Sequence, residues 1–319
     1  MPTKSMRLLH EISPDEIQNY GGKAANLSIL QRNGFTVPRG FAISGVYYHQ
    51  MIQSIPEAKE LMIKLDESQD FEEILELAAN LQAVFIPSKL PNGMILELQE
   101  MFSTLQNRTH AKYGYAVRSS ASIEDGRSFS FAGQADTYLC VKEIEDVLIS
   151  VKNVWQSAIS PQSAIYLKTK DIPMSSIRMG VVIQEMIDAV ISGVLFTANV
   201  IDSRMDHMLI EATWGLGEAL VGGKVVPDTY VVDRETMTSI SRTLGSKEST
   251  FIQGNGCTLC VETPLTKREA FVLSDEILRD LIELGIEIEE KMGCPQDIEW
   301  CVGDGEIVVL QSRPITTLR

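Results

Sequence analysis

The sequence contains no apolar run of the roughly 18 residues that a membrane-spanning helix requires, and its first residues, MPTKSMRLLHEIS, lack the apolar stretch of a signal peptide. Cysteine is also scarce, since five cysteines in 319 residues are too few for a disulfide framework. Cys257 and Cys260 form a CxxC pair, but neither this pair nor Cys294 and Cys301 has the spacing of a recognisable zinc site. The sequence therefore predicts a cytoplasmic protein whose cysteines are structural or incidental.

Positive charge is in short supply. The chain has 28 lysines and arginines against 43 aspartates and glutamates, which gives a formal net charge of −15. This balance argues against nucleic acid and against an anionic membrane as partners, because both are bound through clustered basic residues. An anionic ligand would have to be held by a few local cations. Aromatic residues are few as well, at 7%, but 44% of the residues are hydrophobic, which is enough for a sizeable core in two lobes.

Apolar periodicity and turn residues predict a mixed α/β fold. The segment after YGG is expected to form a helix from about residue 23 to 33 that ends at Gly34, and residues 57–111 are predicted to be mainly helical. From Gly180 onward, short apolar runs separated by turns indicate a buried sheet. One amphipathic helix is expected over residues 268–292, ahead of a closing β-hairpin.

Lys23 is the first candidate for holding an anion. It follows two glycines at the predicted start of a helix, in YGGKAANL, where free backbone N–H groups and the helix dipole favour negative charge. The segment does not match the GxxxxGK[ST] pattern of a P-loop. A solvent-exposed lysine without a function is therefore the alternative.

A second candidate lies in YAVRSSASIEDGRSFSFAGQADTY. Arg118 is predicted at the end of an apolar strand, directly before a loop rich in serine and glycine that includes Gly133. Such a composition suits a mobile lid over residues 119–134 whose backbone N–H groups close over phosphates. An ordinary surface loop is the alternative, although it would leave the position of Arg118 unexplained.

The segment IQEMI could contact a nucleobase. An apolar strand is predicted to end at Gln184, Glu185, Met186 and Ile187, where exposed backbone groups could pair with the edge of an adenine. Strand ends are common, so this pattern indicates adenine binding only in combination with the other segments.

The closing segment DIEWCVGDGEIVVLQSRPIT carries polar residues at positions where a buried hairpin is expected to be apolar. Its GDG sequence allows two turns, which make opposite predictions. A two-residue turn at Asp304 and Gly305 would pair Glu299 with Leu310. This register would place Glu299 and Gln311 on opposite faces of the hairpin.

A three-residue loop over residues 303–305 would instead pair Glu299 with Val309. Glu299 and Gln311 would then lie diagonally on one face, roughly 7–8 Å apart between their α-carbons, with Arg313 beside them. A carboxylate, an amide oxygen and a guanidinium in this arrangement suit a magnesium ion that bridges phosphate oxygens. The alternative is that this face of the hairpin is simply exposed to solvent.

Several segments taken together and in order resemble one known domain. They are GGKAANL, AVRSSASIEDGRSFSFAGQADTYL, IQEMI, SGVLFTAN, EATWGLGEALVGG and DIEW…LQSRPIT. They closely resemble the nucleotide-binding domain of the phosphoenolpyruvate synthase and pyruvate phosphate dikinase family, which rifampin phosphotransferase and the glucan, water dikinases share. The resemblance covers essentially all 319 residues, and the combination of RSSAxxED, FAGQ and LQSRP is highly specific.

The resemblance implies an α/β fold of the ATP-grasp type. An N-terminal lobe of residues 1–185 and a C-terminal lobe of residues 186–319 would clamp ATP. Each candidate residue would have a role in that clamp. Lys23 and Arg118 would hold phosphates, Gly133 and Thr137 would belong to the lid, Gln184, Glu185, Met186 and Ile187 would contact adenine, Glu299 and Gln311 would bind Mg²⁺, and Arg313 would stabilise the transferring phosphate.

The activity implied by the resemblance is a dikinase-type phosphotransfer. ATP would be cleaved to AMP in stages, and its β-phosphate would pass to a histidine on a swivelling domain and then to a small-molecule acceptor. The four histidines of the chain lack the Gly-Gly-x-Thr-Ser-His surroundings of that carrier, so the histidine is expected elsewhere, in cis or in trans, as in the split phenylphosphate synthase. Two alternatives stay open: an ATP-grasp enzyme with its own acceptor site, which would release ADP, and a nucleotide-sensing subunit that transfers no phosphate.

Overall fold

The computed structural model describes residues 5–121, 137–254, 258–316 and 318. The chain divides into two compact units, the first comprising Met1–Ser28 with Arg39–Glu185 and the second comprising Ile29–Pro38 with Met186–Arg319. Each unit combines helices with an antiparallel sheet, which confirms the predicted mixed α/β class. Among the described residues, every helix is too short or too polar to span a bilayer.

The first unit is built on a five-stranded antiparallel sheet with the strand order β1-β2-β5-β3-β4. Its strands are β1 (Met6–Leu8), β2 (Gly40–Ile43), β3 (Tyr115–Ala121), β4 (Thr137–Val141) and β5 (Met179–Glu185). The central strand β5 is buried from Met179 to Gln184. Because both of its faces are covered, its sequence is mostly apolar without alternation.

The α-helices of this unit pack on the sheet or on one another. In the described part of the unit they are α1 (Ile17–Tyr20), α2 (Gly22–Arg32), whose last residues from Ile29 belong to the second unit, α3 (Gly45–Ser54), α4 (Pro56–Glu67), α5 (Phe71–Phe85), α6 (Asn92–Gln106), α7 (Ile144–Ala158) and α8 (Pro161–Thr169). Helices α4 to α6 confirm the helical prediction for residues 57–111. Trp155 of α7 is fully buried and donates its indole N–H to the carbonyl of Met179 (3.0 Å), which joins α7 to β5.

Helix α2 confirms the helix expected after YGG. It ends before Gly34, whose φ of +87° lies in the left-handed region that glycine adopts without strain. The N–H of Phe35 closes the helix by donating to the carbonyl of Leu30 (3.1 Å).

The second unit contains a six-stranded antiparallel sheet with the order β13-β12-β6-β7-β8-β9 and a two-stranded sheet of β10 and β11. The strands are β6 (Ile191–Phe196), β7 (His207–Trp214), β8 (Asp228–Asp233), β9 (Thr238–Thr243), β10 (Ser249–Gln253), β11 (Thr258–Glu262), β12 (Gln296–Gly303) and β13 (Glu306–Pro314). They confirm the β-rich character predicted for the chain after Gly180.

The helix expected over residues 268–292 begins later than predicted. Helix α11 (Asp275–Met292) follows two short helices, α9 (Glu218–Val221) and α10 (Leu265–Arg268). The side chain of Ser274 caps α11 by accepting the N–H of Ile277 (3.2 Å), and this cap sets the start of the helix. Leu278, Leu281 and Ile282 form its buried side, and the helix packs against β6 and β12.

Candidate functional site

The YGGK segment and strand β3 lie against each other in the first unit. Lys23 is only 5% exposed, and its Nζ donates a hydrogen bond to the carbonyl of Ser119 (2.7 Å). One residue further along each segment, the N–H of Ala24 donates to the hydroxyl of Ser120 (3.1 Å). Lys23 is therefore not a solvent-exposed lysine, and two of the segments selected from the sequence meet in the fold.

Gly21 makes this close approach possible. Its φ of 84° and ψ of 167° belong to a region that is essentially restricted to glycine. A Cβ atom at this position would lie 2.0 Å from the carbonyl oxygen of Ser120, well inside van der Waals contact. Both the backbone conformation and the contact with β3 therefore require a glycine here.

Arg118 lies inside β3 rather than at its end, which corrects the prediction. It pairs with Thr137 on β4 and with Val182 on β5, and it is half-buried. Cross-strand partners project to the same face of a sheet, so Arg118 and Thr137 are neighbours on one side. Thr137 is the exposed first residue of β4.

The predicted lid cannot begin at residue 119. Ser119 and Ser120 are buried in β3, which continues to Ala121 and pairs with β5. The boundary was wrong because these serines take part in the strand ladder, although their composition is typical of a loop. Gly133 and the rest of residues 122–136 lie outside the described residues.

The segment expected to contact adenine is the connection from the first unit to the second. Gln184 is buried, and Glu185 exchanges two hydrogen bonds of 2.9 Å with Arg39. In that exchange, the N–H of Glu185 donates to the Arg39 carbonyl and the Glu185 carboxylate accepts the Arg39 N–H. The carbonyl of Ile187 accepts a hydrogen bond from the side-chain amide of Gln253 (2.8 Å). Two backbone groups of this segment are thus already bonded within the protein.

The closing hairpin has a two-residue turn, so of the two turns that GDG allows, the three-residue loop is wrong. Gly303 pairs with Glu306 across Asp304 and Gly305, whose φ values are 51° and 82°. Two consecutive residues with positive φ characterise a type I′ turn, for which Asp-Gly is a favoured sequence. This turn alone would place the two proposed metal ligands on opposite faces.

A β-bulge in β13 reverses that outcome. Glu299 pairs directly with Gln311, whereas the next residue, Trp300, pairs with Val309, so that Leu310 is an extra residue. Glu299 and Gln311 therefore share a face, with their α-carbons about 4.5–5.5 Å apart rather than diagonal to each other. Both registers considered from the sequence are wrong, yet the two residues lie side by side.

Arg313 is held by Asp297, a residue that was not selected from the sequence. Both Nε and Nη2 of Arg313 lie 2.8 Å from Oδ2 of Asp297, its direct partner across the hairpin. Burial raises the pKa of Asp297 against the opposing effect of Arg313, and Glu299 adds a smaller increase. The alternation of acids in QDIEW was the available signal, because residues 297 and 299 of one strand project to the same face.

One face of the hairpin thus carries Asp297, Glu299, Gln311 and Arg313. In the described parts of the chain, no group of three or more His, Cys, Asp or Glu side chains could hold a metal ion by itself. The oxygen donors nevertheless fit Mg²⁺, because this ion is commonly held by one or two carboxylates together with substrate phosphates and water. Arg313 supplies a guanidinium that can bind the same phosphates.

A family comparison defines the class of domain that this fold and these residues form. The model of the pyruvate phosphate dikinase AMP/ATP-binding domain matches residues 17–319. The chain therefore belongs to this family of nucleotide-binding domains, which confirms the resemblance seen in its motifs.

The relatives are longer proteins. The chain is 37% identical, over 99% of its length, to a probable phosphoenolpyruvate synthase of Methanothermobacter thermautotrophicus, and it covers 46% of that protein. It is 36% identical, over 97% of its length, to a rifampicin phosphotransferase of a Streptomyces species and covers 36% of it. A solved D-alanine-D-alanine ligase from Coxiella burnetii matches 96% of this chain and 50% of its own, with a TM-score of 0.37 and 9% identity. The chain thus spans less than half the length of the two relatives with similar sequences.

Proposed function

We propose that this chain binds Mg-ATP and prepares it for phosphoryl transfer. The observation that carries the proposal is the register of the closing hairpin, which brings Glu299 and Gln311 together and sets Arg313 beside them. Glu299 and Gln311 would hold Mg²⁺ through a carboxylate and an amide oxygen. The ion would offset negative charge on the phosphate oxygens, and Arg313 would stabilise the phosphate that is transferred.

Lys23 and Arg118 would hold phosphates from the first unit. The carbonyl of Ser119 fixes Nζ of Lys23, so the position of this ammonium group is set by the backbone of a buried strand. A side chain that is held before the ligand arrives loses less conformational entropy on binding than a mobile one. Gly133 and Thr137 would belong to the lid over the nucleotide, and Gln184, Glu185, Met186 and Ile187 would contact adenine.

The proposed reaction is of the dikinase type. A histidine nitrogen attacks the β-phosphorus of ATP, the bond between that phosphorus and the α-phosphate oxygen breaks, and AMP leaves. The histidine then carries a pyrophosphoryl group; in a later step water attacks the γ-phosphorus, the bond to the β–γ bridging oxygen breaks and inorganic phosphate leaves, and the β-phosphate then passes from the histidine to a small-molecule acceptor. Positioning and charge stabilisation are the main demands on this domain, because phosphoryl transfer needs little covalent chemistry from the protein.

The carrier histidine would lie on another domain or subunit, in cis or in trans. The chain covers only 46% and 36% of two relatives, which supports an acceptor outside this segment.

Product analysis tests this proposal. The chain is incubated with Mg-ATP alone and with the histidine-bearing domain of a phosphoenolpyruvate synthase relative, and AMP and ADP are separated by anion-exchange chromatography. We expect AMP only when the histidine domain is present, and much less of it with Glu299→Gln. Steady formation of ADP by the chain alone would contradict the proposal and favour an ATP-grasp enzyme with its own acceptor. Binding of ATP without either product in either mixture would favour a nucleotide-sensing subunit.

A further inference from the structure

Ser312 lies between the proposed ligands Gln311 and Arg313 but faces away from the site. Successive residues of a strand project to opposite faces of a sheet, so its side chain is on the side opposite to theirs. Ser312 is fully buried there, and its hydroxyl donates a hydrogen bond to Oε1 of Gln296 (2.7 Å), which is fully buried as well. The buried side of the hairpin therefore carries a hydrogen bond directly behind the residues proposed to bind Mg-ATP.

The side chain of Gln296 is held in one orientation. Its Nε2 donates to the carbonyls of Cys294 (3.0 Å) and Pro295 (3.3 Å). Its backbone N–H donates to the hydroxyl of Thr197 (2.8 Å), and its backbone carbonyl accepts the N–H of Thr197 (2.9 Å). Because carbonyl oxygens can only accept, the amide nitrogen must face Cys294 and Pro295, and Oε1 is left for Ser312. Gln296 is thus a fixed acceptor for the Ser312 hydroxyl.

Thr197 connects this acceptor to the rest of the second unit. Its hydroxyl donates to the carboxylate of Glu289 on α11. Arg234, which follows β8, donates to both oxygens of the same carboxylate (2.9 and 3.1 Å) and to the carbonyl of Thr197 (2.8 Å). Buried polar groups that are all paired in this way form a rigid network. Gln296 is therefore held by parts of the unit that lie outside the hairpin.

The β-bulge makes this bond important for the proposed ligands. The two-residue turn alone would give a register without Leu310 as an extra residue. In that register Gln311 and Arg313 would point to the buried side, and Ser312 would point to the site. Ser312 would then lie on the opposite face from Gln296. The bond between these two residues is thus compatible only with the bulged register, which places the proposed ligands on the nucleotide-binding side.

We propose that Ser312 and Gln296 are positioning residues that hold Gln311 and Arg313 in the geometry required for Mg-ATP, a role that rests on the proposed nucleotide binding. Neither side chain touches the nucleotide, because both project to the buried side of the hairpin. They act through β13, so that the two ligands are in place before Mg-ATP arrives. Removing the partners that orient a ligand typically lowers affinity or activity by about 10- to 100-fold. A purely structural bond would instead affect only the stability of the fold.

Isothermal titration calorimetry with Mg-ATP tests this role. In Ser312→Ala the dissociation constant should rise about tenfold or more, while the number of binding sites stays near that of the wild type. Gln296→Leu removes the acceptor at similar size and should raise the dissociation constant by a similar factor. The double variant should bind about as weakly as the weaker-binding single variant, because both changes remove the same bond. A role in stability alone would reduce the number of sites through unfolding and leave the dissociation constant unchanged.

Ser163→Ala is the matched control. Ser163 is equally buried, and its hydroxyl also donates a hydrogen bond, to the carbonyl of Ser157 (2.8 Å), but it belongs to helix α8 of the first unit, which carries none of the proposed ligands. This variant should keep the wild-type dissociation constant. A wild-type dissociation constant in Ser312→Ala or in Gln296→Leu would overturn the proposal, and so would losses that multiply in the double variant.

The amide–amide nuclear Overhauser effect between Asp297 and Arg313 tests the positioning without any nucleotide. The backbone groups of Gln296 point away from β13, so those of the next residue, Asp297, face β13 and lie close to those of its partner Arg313. In the deuterated alanine variant this signal should weaken relative to that between Cys301 and Val308, a pair on the turn side of the bulge. An unchanged ratio of the two signals would overturn the positioning even if Mg-ATP binds. Failure of the folded wild-type chain to bind Mg-ATP would overturn the proposed function, and the role of the two residues with it.

Discussion

The two groups of phosphate-binding candidates are positioned by different means. In the first unit, Lys23 in the first turn of α2 is oriented by the backbone carbonyl of Ser119, where Gly21 allows the chain to pack directly on β3. In the second unit, Arg313 is oriented by the carboxylate of Asp297, and Glu299 and Gln311 are aligned by the register of the sheet. A neutral carbonyl orients a cation and leaves its charge in place. A carboxylate orients the cation and also neutralises its charge. The position of Lys23 in the first unit therefore depends on backbone packing. The positions of the second unit's candidates depend on pairing between side chains and strands.

The largest effect on ATP binding is expected from a change at Glu299 in the second unit. Glu299→Ala removes a proposed magnesium ligand and should weaken Mg-ATP binding by roughly 100-fold or more. Calorimetric titration with and without Mg²⁺ should also show that the variant has lost the dependence on the ion. Glu306→Ala, at an exposed position directly after the hairpin turn, is the matched control. Unchanged Mg-ATP affinity in Glu299→Ala would contradict the metal assignment.

A smaller effect on ATP binding is expected from a change at Lys23 in the first unit. Lys23→Met removes the ammonium group but keeps most of the stem, and it should weaken ATP binding by about 10- to 100-fold because a charged hydrogen bond to phosphate is lost. Lys89→Met changes the net charge equally at an exposed site of the same unit and serves as the control. If the two variants bind ATP equally well in calorimetry, the buried lysine has only a structural role.

The close packing of Gly21 on β3 can be tested by comparison with Gly34, another glycine with a positive φ. Gly34→Ala should lower the free energy of unfolding by about 1 kcal/mol, because a positive φ is unfavourable for alanine. An added Cβ at Gly34 meets nothing within 4 Å, whereas one at Gly21 would lie 2.0 Å from the carbonyl oxygen of Ser120. Gly21→Ala should therefore lower the free energy of unfolding by about 2–4 kcal/mol. Urea denaturation measures both, and equal losses would show that the contact with β3 matters little.

The smallest effect concerns the second unit, where Asp297 should make the free energy of unfolding depend on pH. Burial raises the pKa of Asp297 above its usual 3.8, so the folded state binds this proton more tightly than the unfolded chain does. The stability that this group contributes is fully present below pH 3.8 and is lost as the pH rises through the raised pKa. Asp297→Asn does not titrate, so its free energy of unfolding should decline less than that of the wild type as the pH rises above 3.8. Parallel pH profiles of the two proteins in urea denaturation would contradict this.

Secondary structure was predicted well wherever local signals decide it. The end of α2 follows from Gly34, because a left-handed residue stops a helix whatever the rest of the fold does. The start of α11 was missed, although Ser274 is a good capping residue, because the apolar pattern extends further towards the N-terminus than the helix. The composition around Ser119 and Ser120 predicts a loop because serine is common in turns, but burial against β5 overrides that preference.

The candidate site was harder to predict because it depends on register. The type I′ turn at Asp304 and Gly305 is one of the two turns that the sequence allows, but nothing in IVVLQSRP marks Leu310 as an extra residue. Without the bulge position, the partner of Arg313 could not be identified, and Asp297 was missed for that reason. Residue types that suit phosphate and magnesium were recognisable from the motifs, whereas their pairing required the sheet.

The bulge also bears on how sequences of this family should be aligned. In a regular hairpin, a difference of one residue in length is conventionally placed in the turn, because the strands are assumed to be continuous. Here Glu299 would still face Gln311 if Leu310 were absent, whereas an insertion between Asp304 and Gly305 would alter the turn itself. For a homologue that is one residue shorter in this region, a gap opposite residue 310 preserves the pairing of the proposed ligands, and a gap in GDG removes the residues that form the turn.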